Sequence, residues 1–81
     1  DQTALMALGH ELRASGEYKE AIRAYDDVAS DETGEATEAL RFIGITYYKD
    51  LKDQDKARKF FERYTKAGGD DPRVKNLLKK L

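Results

Sequence analysis

Cysteine is absent from this sequence, histidine and proline occur once each, and apolar runs are short. Each shortage closes off a class of protein. Without cysteine there is no disulfide staple and no thiolate metal site, and the redox compartment stays open. A lone histidine, His10, excludes the paired-histidine zinc patterns, so no metal and no cofactor is expected. No apolar run approaches the roughly 18 residues that a membrane span needs. The first residues, Asp1-Gln2-Thr3, are neither a basic signal region nor an initiator Met, and the chain reads as excised or processed. Net charge is scarce too: a formal −1 argues against bulk attraction to nucleic acid or anionic lipid.

The 81 residues that are present suffice for one small domain, residues 1–81. A domain of this size buries only about 60% of the surface its unfolded chain exposes, which leaves little room for a catalytic interior. With 40% apolar and 38% charged residues, and a mean hydropathy of −0.82, patterned helices explain the composition better than a sheet sandwich. The charge is unevenly placed. Residues 1–38 carry ten Asp/Glu against three Lys/Arg, and residues 39–81 carry six against twelve, so the chain is an electrical dipole along its length.

Apolar residues recur at helical spacing throughout and alternate as a strand nowhere, which predicts an all-α fold of five helices. Leu5, Leu8 and Leu12 mark the inner face of the first, which stops at Ser15-Gly16. Tyr18, Ala21, Ile22, Tyr25, Val28 and Ala29 stripe the second, up to the polar break from Ser30 to Gly34. Leu40, Ile43, Gly44, Tyr47 and Leu51 stripe the third. Ala57, Phe60, Phe61 and Tyr64 stripe the fourth, which closes at Gly68-Gly69. Asp71-Pro72 opens a fifth, with Asp as N-cap and Pro at the first helical position, and Val74, Leu77, Leu78 and Leu81 as its buried side.

The chain also repeats itself. Leu5-x2-Leu8-Gly9-x2-Leu12-x8-Ala21-x3-Tyr25-x2-Val28 is followed by Leu40-x2-Ile43-Gly44-x2-Tyr47-x9-Ala57-x3-Phe61-x2-Tyr64. This is one pattern stated twice at a period of 35 to 36 residues, with one extra residue assigned to the second inter-helix turn. Gly9 and Gly44 offer no side chain where paired helices come closest, and Ala21 and Ala57 do the same from the opposite helix. Over residues 3–69 the pattern, with Gly-Glu-Tyr-x-x-Ala-Ile-x-x-Tyr at Gly16 to Tyr25, resembles the tetratricopeptide repeat. The resemblance implies an α-solenoid of antiparallel helix pairs in a right-handed superhelix, with repeat 1 at about 3–33, repeat 2 at about 35–69 and a capping helix at about 72–81. The chain departs from the family where Leu5 and Leu40 replace Trp, where Thr33 and Gly69 replace Pro, and where Val28 and Tyr64 exceed the usual small residue.

No motif for catalysis emerges. Asp26-Asp27 and Asp70-Asp71 are adjacent on the chain and so do not face each other, Gly68-Gly69 lacks the Lys-Ser/Thr of a phosphate loop, and Ser15 and Ser30 have no partner histidine in a nucleophile motif. An enzyme is not expected. The resemblance implies instead a module that binds a peptide or partner segment in a concave groove, as scaffold or adaptor. Its groove positions fall at Thr3, Met6, His10 and Arg13 in the first pair, and at Glu38, Arg41, Ile45, Tyr48 and Lys49 in the second. The subclass that clamps the C-terminal carboxylate of cytosolic chaperones has Lys and Asn where this chain has Met6, His10 and Arg41, so that function is set aside. Tyr47 is expected to hold the fold and Tyr48 to touch the ligand. Two alternatives stand beside the groove. One is self-association or membership of a longer array, with acidic first half against basic second half. The other is an anionic partner on Lys52, Lys56, Lys59, Arg63 and Lys66, which share one face of the fourth helix and the turn before it and otherwise form a solvated outer face.

Overall fold

A computed structural model describes residues 2–31 and 34–81; Asp1, Glu32 and Thr33, the last standing where the repeat pattern has Pro, lie outside the described residues. Five α-helices follow one another: α1 (Gln2–Ala14), α2 (Tyr18–Ala29), α3 (Gly34–Ile45), α4 (Gln54–Lys66) and α5 (Pro72–Lys80), with α3 running on into a π-helical turn, Thr46–Asp50. Each helix packs chiefly on its neighbours in the chain, as stacked helix pairs require.

The helix ends follow from local chemistry. Gly16 takes φ +85 and Gly68 φ +98, the left-handed conformation that costs glycine nothing. After each, two backbone bonds close a Schellman motif: Gly16 N–H to Arg13 O and Glu17 N–H to Leu12 O at the end of α1, and Gly68 N–H to Thr65 O and Gly69 N–H to Tyr64 O at the end of α4. Asp53 caps α4 by accepting from the Lys56 amide at 3.1 Å, and Asp71 caps α5 by accepting from the Arg73 amide at 2.9 Å.

Two clusters make the core. Ala21, Tyr25 and Val28 of α2 bury against Ala39 and Ile43 of α3, while Leu40 of α3 buries with Ala57, Phe61 and Tyr64 of α4 and Val74 of α5. A Cβ on Gly9 would run into the ring of Tyr25, and one on Gly44 into the ring of Phe61. The two glycines are therefore the close-approach points of the two helix pairs. Gly69 has the same relation to Tyr64: its φ is unremarkable, and a side chain there would overlap the Tyr64 ring. The oversized Tyr64 is accommodated because Gly69 carries no side chain, and the tyrosine hydroxyl then accepts from the Asp71 amide at 3.1 Å, tying α4 to the start of α5.

Two expectations are corrected here. Leu8 is not part of an inner face; it is 44% exposed, whereas Ile43, its counterpart in the second repeat, is fully buried under α2. The residue is apolar in both repeats, and among the described residues a helix covers only the second. The extra residue of the second repeat, assigned from the sequence to the inter-helix turn, lies in the helix itself. Both turns within the pairs span three residues, 15–17 and 51–53, and the surplus is taken up by the π-helical turn. Leu51 N–H accordingly bonds Thr46 O, and buried Thr46 returns its hydroxyl to Phe42 O at 2.8 Å.

Candidate functional site

The first helices of the two pairs, α1 and α3, flank a groove that their side chains bridge at two points. His10 sits edge-on to the Phe42 ring, with centroids 4.6 Å apart, and Arg13 Nε donates to Asp50 Oδ2 at 2.6 Å. Toward the start of both helices lies a hollow of about 360 Å³ lined by Thr3, Met6, Ala7 and His10 from α1 and by Glu35, Glu38 and Phe42 from α3. Toward their ends a second hollow, about 320 Å³, is lined by His10, Arg13, Ala14 and Asp50. His10 belongs to both, so the two are halves of one groove.

Helical spacing explains the first half. Positions 3, 6, 7 and 10 of α1 and 35, 38 and 42 of α3 fall on one face of each helix at steps of three and four. The second half depends on the π-helical turn. A regular α-helix would carry the Glu38–Phe42 face on to position 49; the wider turn delays it by a residue and brings Asp50 there instead. Asp50 was missed in the sequence for this reason, although the longer spacer before Ala57 was its signal.

The floor is held by Tyr25, fully buried, whose hydroxyl is 2.7 Å from His10 Nδ1 and whose ring stacks on Phe42. Burial raises the phenol above its usual range, with Arg13 pulling it down and Asp50 pushing it up. The phenol stays protonated and has, among the described residues, only His10 to receive its proton. The His10 ring is thereby fixed at Nδ1 on the buried phenol, while the rest of the ring lines both hollows.

The remaining predicted groove residues lie elsewhere on α3 and on the π-helical turn that continues it. Arg41 stacks over Phe42 at 4.5 Å, donates to the Glu38 carboxylate from Nε and Nη2, and stands 3.8 Å from Asp71 at the start of α5. Ile45 and Tyr48 are half-buried against the second cluster, the one that α5 joins with Leu77, Leu78 and Leu81. Tyr48 and Lys49 also line a hollow of about 210 Å³ with Lys52 and Gln54. The structure therefore brings Thr3, Met6, His10, Arg13 and Glu38 together and sets Ile45, Tyr48 and Lys49 apart from them. Nor are Tyr47 and Tyr48 divided as core against ligand: Tyr47 is half-buried between both clusters and stacks on Phe60, with centroids 5.7 Å apart, and Tyr48 shares the second cluster.

Lys52, Lys56, Lys59, Arg63 and Lys66 are all exposed. Lys52 occupies the turn with φ +57, in the left-handed region, while Lys56 lies 5.5 Å over the Tyr47 ring and Arg63 4.9 Å over Phe60. Two of the five cations thus rest on the aromatic rim of the core. Among the described residues no group of His, Asp and Glu is arranged to hold a metal, and no helix is long and apolar enough to cross a membrane.

Comparison with known proteins bears on this arrangement. No curated protein and no solved structure matches the chain. A family model for the tetratricopeptide repeat matches residues 6–72, which takes in both glycine close-approach points, α1 from Met6 onward, the whole of α2, α3 and α4, and the first residue of α5. With that match over most of its length, and with α1–α2 and α3–α4 paired about those glycines and α5 following them, the chain belongs to the tetratricopeptide repeat family.

Proposed function

We propose that the chain is an interaction module that holds a peptide or partner-protein segment in the groove between α1 and α3, as scaffold or adaptor. Repeats of this family generally serve protein interaction. The observation that carries the groove reading is the convergence of both repeats on one concave surface: an apolar wall of Met6, Ala7 and Phe42, the His10 ring and the carboxylates of Glu35 and Glu38, brought together from two helices whose lining residues are 25 or more apart in sequence. A shape of this kind, apolar with a few fixed polar groups, is what a peptide side chain needs to be both held and oriented. Ala7 is exposed and lines the groove without entering the core, so Ala7→Arg fills the site while leaving the packing alone. A partner captured by the parent domain is expected to be lost by Ala7→Arg and by Met6→Glu, with the helical circular dichroism of both unchanged. Equal capture by parent and variants removes the groove from consideration.

A second reading, self-association or a longer array, has its own observation. Ala39 and Ile43 of α3 and Thr46 of the π-helical turn are fully buried, while the residues one repeat earlier on α1, Ala4, Leu8 and Glu11, are exposed. We infer that a further helix, from a second copy or a neighbouring repeat, would cover this face. Sedimentation over a rising concentration series tests the second copy: a dimer that Leu8→Glu returns to monomer supports it, and a monomer throughout removes it.

A further inference from the structure

The charges around the groove are not equally available. Arg13 and Arg41 are the two arginines among the expected groove positions, and both are already satisfied. Arg13 is held by Asp50 at 2.6 Å, and Arg41 is held by Glu38 at 2.8 Å with Asp71 behind it. No lysine lines either half of the groove. Glu35 differs. It lines the same hollow as Met6, Ala7 and Phe42, and its Oε2 is buried with no hydrogen-bond partner among the described residues. A buried carboxylate oxygen without a donor is costly, and a donor arriving with a ligand would relieve that cost. Glu35 also lies in the acidic half of the chain, where residues 1–38 hold ten Asp/Glu against three Lys/Arg, so the long-range field over the groove mouth has the same sign as the unmet carboxylate.

Resting on the groove reading above, we propose that the groove between α1 and α3 takes a cationic-apolar peptide segment. A Lys or Arg head group is set on Glu35, and a neighbouring aliphatic side chain is laid on Met6, Ala7 and the Phe42 ring. The two halves suit each other physically. A Lys or Arg carries its charge at the end of a hydrocarbon stem, and that stem runs over the apolar wall before the head reaches the carboxylate. The His10 ring, fixed by Tyr25 at Nδ1, lines the same hollow and offers its edge to the segment. Acidic segments are disfavoured at this site because they would meet Glu35 and find the two guanidiniums already taken.

A bead-displayed library of random short peptides, probed with the labelled domain and with its Glu35→Gln and Ala7→Arg variants, tests the proposal. Peptides pairing Lys or Arg with Leu, Ile, Val, Met or Phe are expected among the parent's binders. Affinity for such a peptide is expected to fall by about tenfold or more in Glu35→Gln, the loss of one charge-assisted hydrogen bond. The same peptide with Gln in place of its Lys should bind parent and Glu35→Gln alike. Replacing that Lys by Glu abolishes binding to the unaltered protein, an arm independent of how Glu35→Gln folds. Enrichment of acidic or purely neutral peptides that Ala7→Arg still loses overturns the cationic class and leaves the groove standing. Basic peptides that bind Glu35→Gln undiminished overturn the assignment to Glu35. Binding that survives in Ala7→Arg, or no enrichment at all, overturns the groove reading itself.

Discussion

The smallest side chains carry the most specific structural information. Gly9 faces the Tyr25 ring and Gly44 the Phe61 ring at distances no Cβ tolerates, so each glycine exists to let an aromatic cross the helix pair. Gly44→Val is expected to cost about 1 to 3 kcal/mol or more, because fully buried Phe61 has nowhere to retreat; urea unfolding measures it, and a variant as stable as the parent refutes the close approach. Gly69 makes a sharper case. If its role is to make room for Tyr64, the cost of Gly69→Ala belongs to the pair rather than to the glycine. A thermodynamic cycle of Gly69→Ala and Tyr64→Phe or Tyr64→Ala is then expected to show Gly69→Ala destabilising beside the aromatic ring and near neutral once the ring is removed, a coupling of about 0.5 to 3 kcal/mol. The family's Pro at this position and its small residue at position 64 are exchanged together here, which a single-position reading of either departure does not convey.

At the scale of elements, the π-helical turn and the α5 cap each have a measurable consequence. The turn brings Asp50 to Arg13 across 37 positions of chain. Their side chains are 27% and 20% exposed for Arg13 and Asp50, so the pair is screened, and Arg13→Ala with Asp50→Ala is expected to show a coupling of about 0.2 to 1 kcal/mol that shrinks in salt. Asp71 accepts from the Arg73 side chain and amide, which hold its carboxyl below the usual carboxylate range, with Arg41 adding to the effect. The sign follows from that depression. The folded state binds a proton more weakly than the unfolded chain, so the contribution is complete above the unfolded carboxylate value near 4 and is lost as pH falls through the lower, folded value. Asp71→Ala is expected to cost about 0.5 to 2 kcal/mol at neutral pH, as loss of an N-cap does, and the gap between parent and variant should close below about pH 4. Denaturant titrations across a pH series check both statements.

Across the five described helices, equivalent residues have unequal worth because their neighbours differ. Ile43 lies between two helix pairs and Leu8 at an open face, so Ile43→Ala is expected to cost about 2 to 5 kcal/mol and Leu8→Ala about 1 kcal/mol or less. Comparable losses at both positions would mean that α1 is covered after all. The outward face of α5 has another character. On α5, Lys75 and Lys79 occupy the positions one period after Leu40 and Gly44 and are exposed, so a following helix would meet charge where a helix pair needs an apolar residue and a glycine. The stack is therefore polar at its α5 end and apolar at its α1 end.

Local sterics and periodicity were enough to read the helices, their caps and the paired glycines from the sequence, because a left-handed glycine or an apolar stripe at steps of three and four means the same thing wherever the neighbours lie. The family followed from the spacers for the same reason. What the sequence could not determine depended on through-space partners. The surplus residue was visible as a count, but whether a turn or a helix absorbed it rested on the buried Thr46 hydroxyl finding Phe42 O, and from that came the arrival of Asp50 beside Arg13 and the separation of Tyr48 and Lys49 from the α1–α3 groove. Whether Arg13 and Arg41 were offered to a ligand or already spent, and whether Leu8 and Ile43 shared a fate, was likewise decided by tertiary structure, since charge pairing and burial are properties of neighbours that chain spacing does not name.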